Sequence, residues 1–149
     1  MALAAVLVIG SGRSGDAQQS AIDEVKAAVE AYHTALVSLD AAKMAPLWAH
    51  EETVMLINPR DKAVVIGWDA VPKAWEETFA PEAELKITQE SGPYIRVVGD
   101  AARATGIVKS EIKLKPGQAI TASTFQTDIF EKRSGKWLIV AHVASRVPQ

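Results

Sequence analysis

The chain has 149 residues, with 16 basic and 18 acidic side chains and a formal charge of −2. That length fits one domain, and the charge lacks the basic excess of a nucleic-acid-binding protein. It contains no cysteine, so disulfides and thiolate chemistry are excluded; a domain this long buries roughly two-thirds of its unfolded surface and needs no metal to hold it together.

Residues 1–19 differ from the rest. Ala2 to Ile9 is a short apolar run, and Gly10 to Ala17 is rich in small, turn-prone residues. The run is shorter than the about 20 apolar residues that a bilayer span needs, so no stable membrane span is expected. It reads as a signal-peptide core with cleavage after Ala17, although no basic residue precedes it; the alternative is a disordered N-terminal tail. The first reading implies export to the periplasm or the medium, the second a cytoplasmic protein.

Residues 20–149 read as one α+β domain. Ser20, with Asp23 three positions on, has the pattern of a capping box. From there Ile22, Val25, Val29, Tyr32, Leu36 and Leu39 recur every three or four residues, the stripe of an amphipathic helix. Asp40 caps a second helix carrying Met44, Leu47 and Trp48, which Pro46 keeps short or kinked. Residues 54–58 and 63–66 read as paired strands around a turn at 59–62. Asp69 then caps a third helix burying Val71, Trp75 and Phe79, and Pro81 stops it.

Everything after Pro81 reads as strand: 84–89, 94–98 with 101–115 around Gly99 and Asp100, then 120–132 and the last strand after a Ser134-Gly135 turn. In the 102–114 strand, Ala104, Val108, Ile112 and Leu114 alternate with Arg103, Lys109, Glu111 and Lys113. The same alternation puts Gln126, Asp128 and Phe130 on one face, and Val140, His142 and Ala144 on one face of the next strand. Helices bunched early and strands late argue for helices packed on one face of a sheet.

Three patterns resemble the NTF2-like superfamily in its SnoaL-like, DUF4440-type branch. They are Tyr32, Leu36 and Asp40 ahead of Met44, Leu47 and Trp48; Ile66, Gly67, Asp69 and Ala70 opening the third helix; and Phe130 with Gly135 to Val140. The resemblance implies a cystatin-like cone: three N-terminal helices on a strongly curved antiparallel sheet, with a pocket at the open end. It also implies a homodimer, consistent with strand faces that a single cone cannot cover. The fold hosts isomerases, dehydratases, cyclases and non-catalytic association domains, so it does not name a reaction.

Asp128 and His142 form the central candidate pair, since a carboxylate beside an imidazole raises its basicity and sets its tautomer. The resemblance places Tyr32 where steroid-isomerase-like members hold an oxyanion-stabilising tyrosine; it also falls on the apolar stripe. It places their carboxylate base at Leu56, which cannot abstract a proton, so steroid-type isomerisation is not expected. Asn58 lies nearby without useful basicity. Trp48 and Trp68 fall near the expected mouth, Trp75 and Trp137 in the core, and Gln126 shares the face of Asp128. His33 reads as solvated and His50 as a loop residue. No two histidines have ligand spacing, so no metal is expected, and no phosphate loop or dinucleotide fingerprint calls for a cofactor. The expectation is a pocket binding a small, largely apolar ligand through Tyr32, Trp48, Leu56, Asn58, Trp68, Trp75, Gln126, Asp128 and His142. The alternatives are a cofactor-free lyase or isomerase using Asp128, His142 and Tyr32, or a structural association domain.

Overall fold

The computed structural model describes residues 12–148. The whole apolar run read as a signal core lies outside the described residues. Helix α1 (Gly12–Val37) carries the expected stripe, with Val25, Val29, Tyr32 and Ala35 buried. Ser20 lies inside this helix and is not its cap, and Gln18 upstream of it donates to the Val97 carbonyl. The helix ends where Leu39 enters a left-handed conformation at φ 54. Asp40 then caps α2 (Ala41–Met44) by accepting from the Ala42 N–H at 2.9 Å. Pro46 confines the continuation to a single 3₁₀ turn, Ala45–Leu47. Helix α3 (Val71–Phe79) starts without a side-chain cap, so Asp69 does not have the role expected of it; Pro72 in the first turn starts the helix instead.

Six strands form one open sheet in the order β2-β1-β6-β5-β4-β3. These are β1 (Met55–Ile57), β2 (Val65–Ile66), β3 (Glu82–Val98), β4 (Ala101–Leu114), β5 (Ala119–Arg133) and β6 (Lys136–Arg146). The α+β class and the helix count hold. The sheet is mixed, however, because β1 runs parallel to β6, with Leu56 beside His142. Ser134 at φ 48 and Gly135 at φ 81 make the tight turn that fixes the β5–β6 register.

The strands expected at 84–89 and 94–98 are one long strand. Register shifts between Gln89 and Tyr94 bend β3 without ending it. The Gln89 amide donates to the carbonyls of Ser91 and Ile107 at 2.7 and 3.1 Å, meeting acceptors that the broken ladder leaves open. Gly106 lies opposite this bend, and a Cβ there would press on the Ser91 carbonyl oxygen and the Gln89 amide, well inside contact distance. Gly106→Ala is therefore expected to cost about 2 kcal/mol or more, read as a lowered urea midpoint; an unchanged midpoint would show that the bend has slack.

Helix α1 lies across the concave face, where the small Ala102 and Ala104 let it approach β4 and Phe130 and Ile139 complete the packing. This core fills one end of the sheet. Toward the other end, past Tyr32 and Leu36, β3, β4, β5 and β6 curve around a hollow.

Candidate active site

A second bulge sets the site. Trp137 and Ile139 are buried, so strict alternation along β6 would send Ala141 and Val143 inward and His142 outward. Phe130 pairs with Ile139 while Ile129 pairs with Ala141, leaving Val140 as an extra residue. This shifts the inward face to His142 and Ala144. Val140 was expected to share the face of His142; it is instead the residue that resets the alternation.

His142 then stands directly across the ladder from Asp128, and its Nδ1 lies 2.6 Å from Asp128 Oδ1. Both are sealed from bulk water, at 3% and 1% exposure. The other carboxylate oxygen, Oδ2, accepts from the Gln126 amide nitrogen at 2.6 Å, and that nitrogen also donates to His33 Nε2 at 3.3 Å. On the far side of the imidazole, Nε2 lies 3.3 Å from the Tyr32 hydroxyl. With the carboxylate accepting from Nδ1–H, Nε2 keeps its lone pair and accepts from the Tyr32 O–H. Burial, reinforced by the negative charge of Asp128, raises the Tyr32 pKa well above 10, so the phenol keeps its proton. Burial lowers the pKa of His33.

The cavity beside this chain holds about 110 Å³. Tyr32, Trp75, Gln126 and His142 form its buried end, Leu85, Ile87, Val108, Ile112, Ile120 and Ala122 its apolar walls, and Pro59, Arg60 and Arg146 its exposed rim. Glu82 lies under the rim, buried at 5%, and Arg60 donates to it at 2.8 Å. Burial raises the Glu82 pKa, and the guanidinium only partly offsets this. Arg60→Ala is expected to destabilise by about 1–2 kcal/mol by leaving a buried carboxylate unpaired, whereas Glu82→Gln costs less because it removes the buried charge itself. Equal losses in thermal denaturation would contradict this asymmetry.

A family model described as a SnoaL-like domain matches residues 25–149. The chain belongs to the SnoaL-like domain family. Among curated proteins none matches the sequence. Solved structures show the same NTF2-like fold as this SnoaL-like domain. One is a provisionally named calcium/calmodulin-dependent protein kinase II association domain from Xanthomonas campestris, 23% identical, with TM-score 0.74 over 98% of this chain and 94% of that one. Another is a provisionally named dehydratase of the NTF2-like family from Streptomyces avermitilis, 19% identical, TM-score 0.75, covering 88% and 99%. A third is a ketosteroid isomerase-like protein from Erwinia carotovora atroseptica, 16% identical, TM-score 0.72, covering 86% and 97%. At these identities the likeness carries the fold alone.

Within the SnoaL-like cone, Tyr32, Asn58, Trp75, Gln126 and His142 line the cavity, and Asp128 stands one side chain behind it. Trp48 and Leu56 are packed into the core, at 1% and 0% exposure, and do not border the hollow. Trp68 stacks on His50, with centroids 3.8 Å apart, outside the cavity. His33 was expected in solvent; it is half-buried against Gln126. One helical signal for it was available, since it adjoins Tyr32 at the edge of the stripe. Among the described residues no helix is long and apolar enough to cross a membrane.

Proposed function

We propose that this domain is a cofactor-free lyase or isomerase that moves a proton on a small, largely apolar carbonyl compound. The observation that carries it is the 2.6 Å contact between His142 and Asp128 in a sealed site whose imidazole borders the cavity. The chemistry follows from the hydrogen-bond order. When the carbonyl compound binds, the Tyr32 O–H turns from Nε2 to the carbonyl oxygen and frees the Nε2 lone pair. That lone pair takes a proton from a carbon next to the carbonyl, while the C–H electron pair moves toward that oxygen to form an enolate. Asp128 stabilises the resulting imidazolium. The Tyr32 O–H holds the charge that forms on the enolate oxygen. In a β,γ-unsaturated carbonyl compound, return of the proton at the γ-carbon, with the double bond moving into conjugation, completes an isomerisation. Its delivery to a departing β-hydroxyl completes a dehydration, with water as the second product.

The hollow holds about 110 Å³, less than the about 150 Å³ that encloses benzene, so a single-ring substrate would extend toward the open rim at Arg60 and Arg146 and nothing larger would be enclosed. A purely structural association domain needs no hollow there. A passive binding module needs the apolar walls but not a carboxylate and an imidazole buried in contact, which are costly to desolvate. The test is substrate-agnostic: deuterium exchange at the α-carbons of cyclohexanone and acetophenone in D₂O, followed by NMR. The wild-type domain is expected to accelerate exchange and His142→Ala to lose the acceleration. No acceleration for a panel of single-ring ketones would favour the binding module.

A further inference from the structure

We infer that the cavity selects ligands carrying hydroxyl donors, and that the side-chain carbonyl of Gln126 is the acceptor that reads them. The orientation of this amide is fixed by its neighbours. Asp128 Oδ2 can only accept, so the amide nitrogen must face it at 2.6 Å. The same nitrogen supplies His33 Nε2 at 3.3 Å, so both of its hydrogens are engaged. Turning the amide over would set Oε1 against a carboxylate oxygen. Oε1 is therefore the open end, and among the described residues no donor reaches it. The side chain is 6% exposed and lines the cavity, yet Oε1 is not one of the fully enclosed unpaired atoms, which are the indole nitrogens of Trp48 and Trp75.

Asn58 repeats the pattern nearer the rim. The Thr78 hydroxyl donates to the Ala74 carbonyl at 2.9 Å, so Thr78 Oγ1 must accept from Asn58 Nδ2 at 3.3 Å. That leaves Asn58 Oδ1 without a donor among the described residues, on a side chain that is also 6% exposed and also lines the cavity. Two carbonyl oxygens that open onto a largely apolar cavity favour a ligand that brings donors, because a ligand without them would cover each acceptor and leave it unmet, at a desolvation penalty. A plain ketone or hydrocarbon cannot satisfy either oxygen. A hydroxylated ring or a β-hydroxy carbonyl compound can, and within the proposed proton-transfer reading such a substrate makes elimination of water the favoured outcome.

The inference rests on that reading for the reaction, but its recognition step is tested by binding alone. Phenol, anisole and toluene differ in donor capacity at nearly constant shape, and NMR titration gives their affinities. Phenol is expected to bind the wild-type domain about tenfold more tightly than anisole. Gln126→Leu should bring that ratio close to one by weakening phenol more than anisole. A ratio near one in the wild type overturns the inference. So does a ratio that survives Gln126→Leu, which would assign the preference to Asn58 Oδ1 or to His142 Nε2 and not to Gln126. Should the variant fail to fold, the ¹³Cδ resonance of Gln126 in the wild type decides: phenol shifts it and anisole does not. A phenol preference without ketone exchange would keep this inference and remove the proton-transfer reading; exchange without the preference would do the reverse.

Discussion

Asp128→Asn is expected to slow His142-dependent exchange by about 10²- to 10⁴-fold, and the hydrogen-bond network explains why a nearly isosteric change costs so much. An asparagine at 128 has two orientations. If its oxygen faces His142, its NH₂ faces the Gln126 amide nitrogen, which sits 2.6 Å from that position in the wild type, and two donors collide. If it turns over, its NH₂ faces His142 Nδ1. The ring hydrogen then moves to Nε2, and the lone pair needed for proton abstraction is gone. Either way the imidazolium also loses its counter-charge. The ¹⁵N shifts of the His142 ring distinguish the two outcomes, with protonation moved to Nε2 in the second. A variant within twofold of the wild-type rate would show that the carboxylate has no part in the chemistry.

Trp75→Ala is expected to lower stability by about 3–5 kcal/mol, or about 10 °C in midpoint for a chain of this size. Trp75 is 2% exposed, meets Tyr32 edge-on with centroids 6.2 Å apart, stacks on Phe79 at 5.4 Å and lies 6.0 Å from His142. It is the wall through which helix α3 holds the site, so its removal opens the cavity and lets Tyr32 drift from Nε2. Trp75→Phe separates the ring from the indole nitrogen. That nitrogen is buried without a partner among the described residues, a penalty of about 1–3 kcal/mol that the substitution relieves. The relief offsets much of the lost packing, so Trp75→Phe should fall within about 1 kcal/mol of the wild type. A loss as large as that of Trp75→Ala would show that the N–H contributes a contact of its own.

Much of the site was legible because strands impose parity. Gln126 and Asp128 are two apart on β5 and share the concave face, as alternation requires. Tyr32 sits on a helical stripe whose spacing leaves little freedom. His142 faces inward as expected, but through a bulge at Val140 that alternation alone cannot reveal. Trp48 and Leu56 show the opposite limit. Both are apolar, and whether an apolar side chain lines a hollow or fills a core depends on what the far side of the sheet supplies. His33 was misread for a related reason: at the edge of a helical stripe, burial depends on how far the neighbouring strand curls over it.

The order of residues determined the elements, the α+β class and the inward face of β5, because backbone periodicity is local and each residue carries its own preference. It also determined that Gln126 and Asp128 would share that face, whereas the Val140 bulge that turns His142 toward them is tertiary. Only the tertiary structure decided the bend in β3, the parallel pairing of β1 with β6 and the meeting of Tyr32 with His142 across 110 positions. Those depend on contacts between segments distant along the chain, whose register is set by packing, and packing has no signature in any single stretch of sequence.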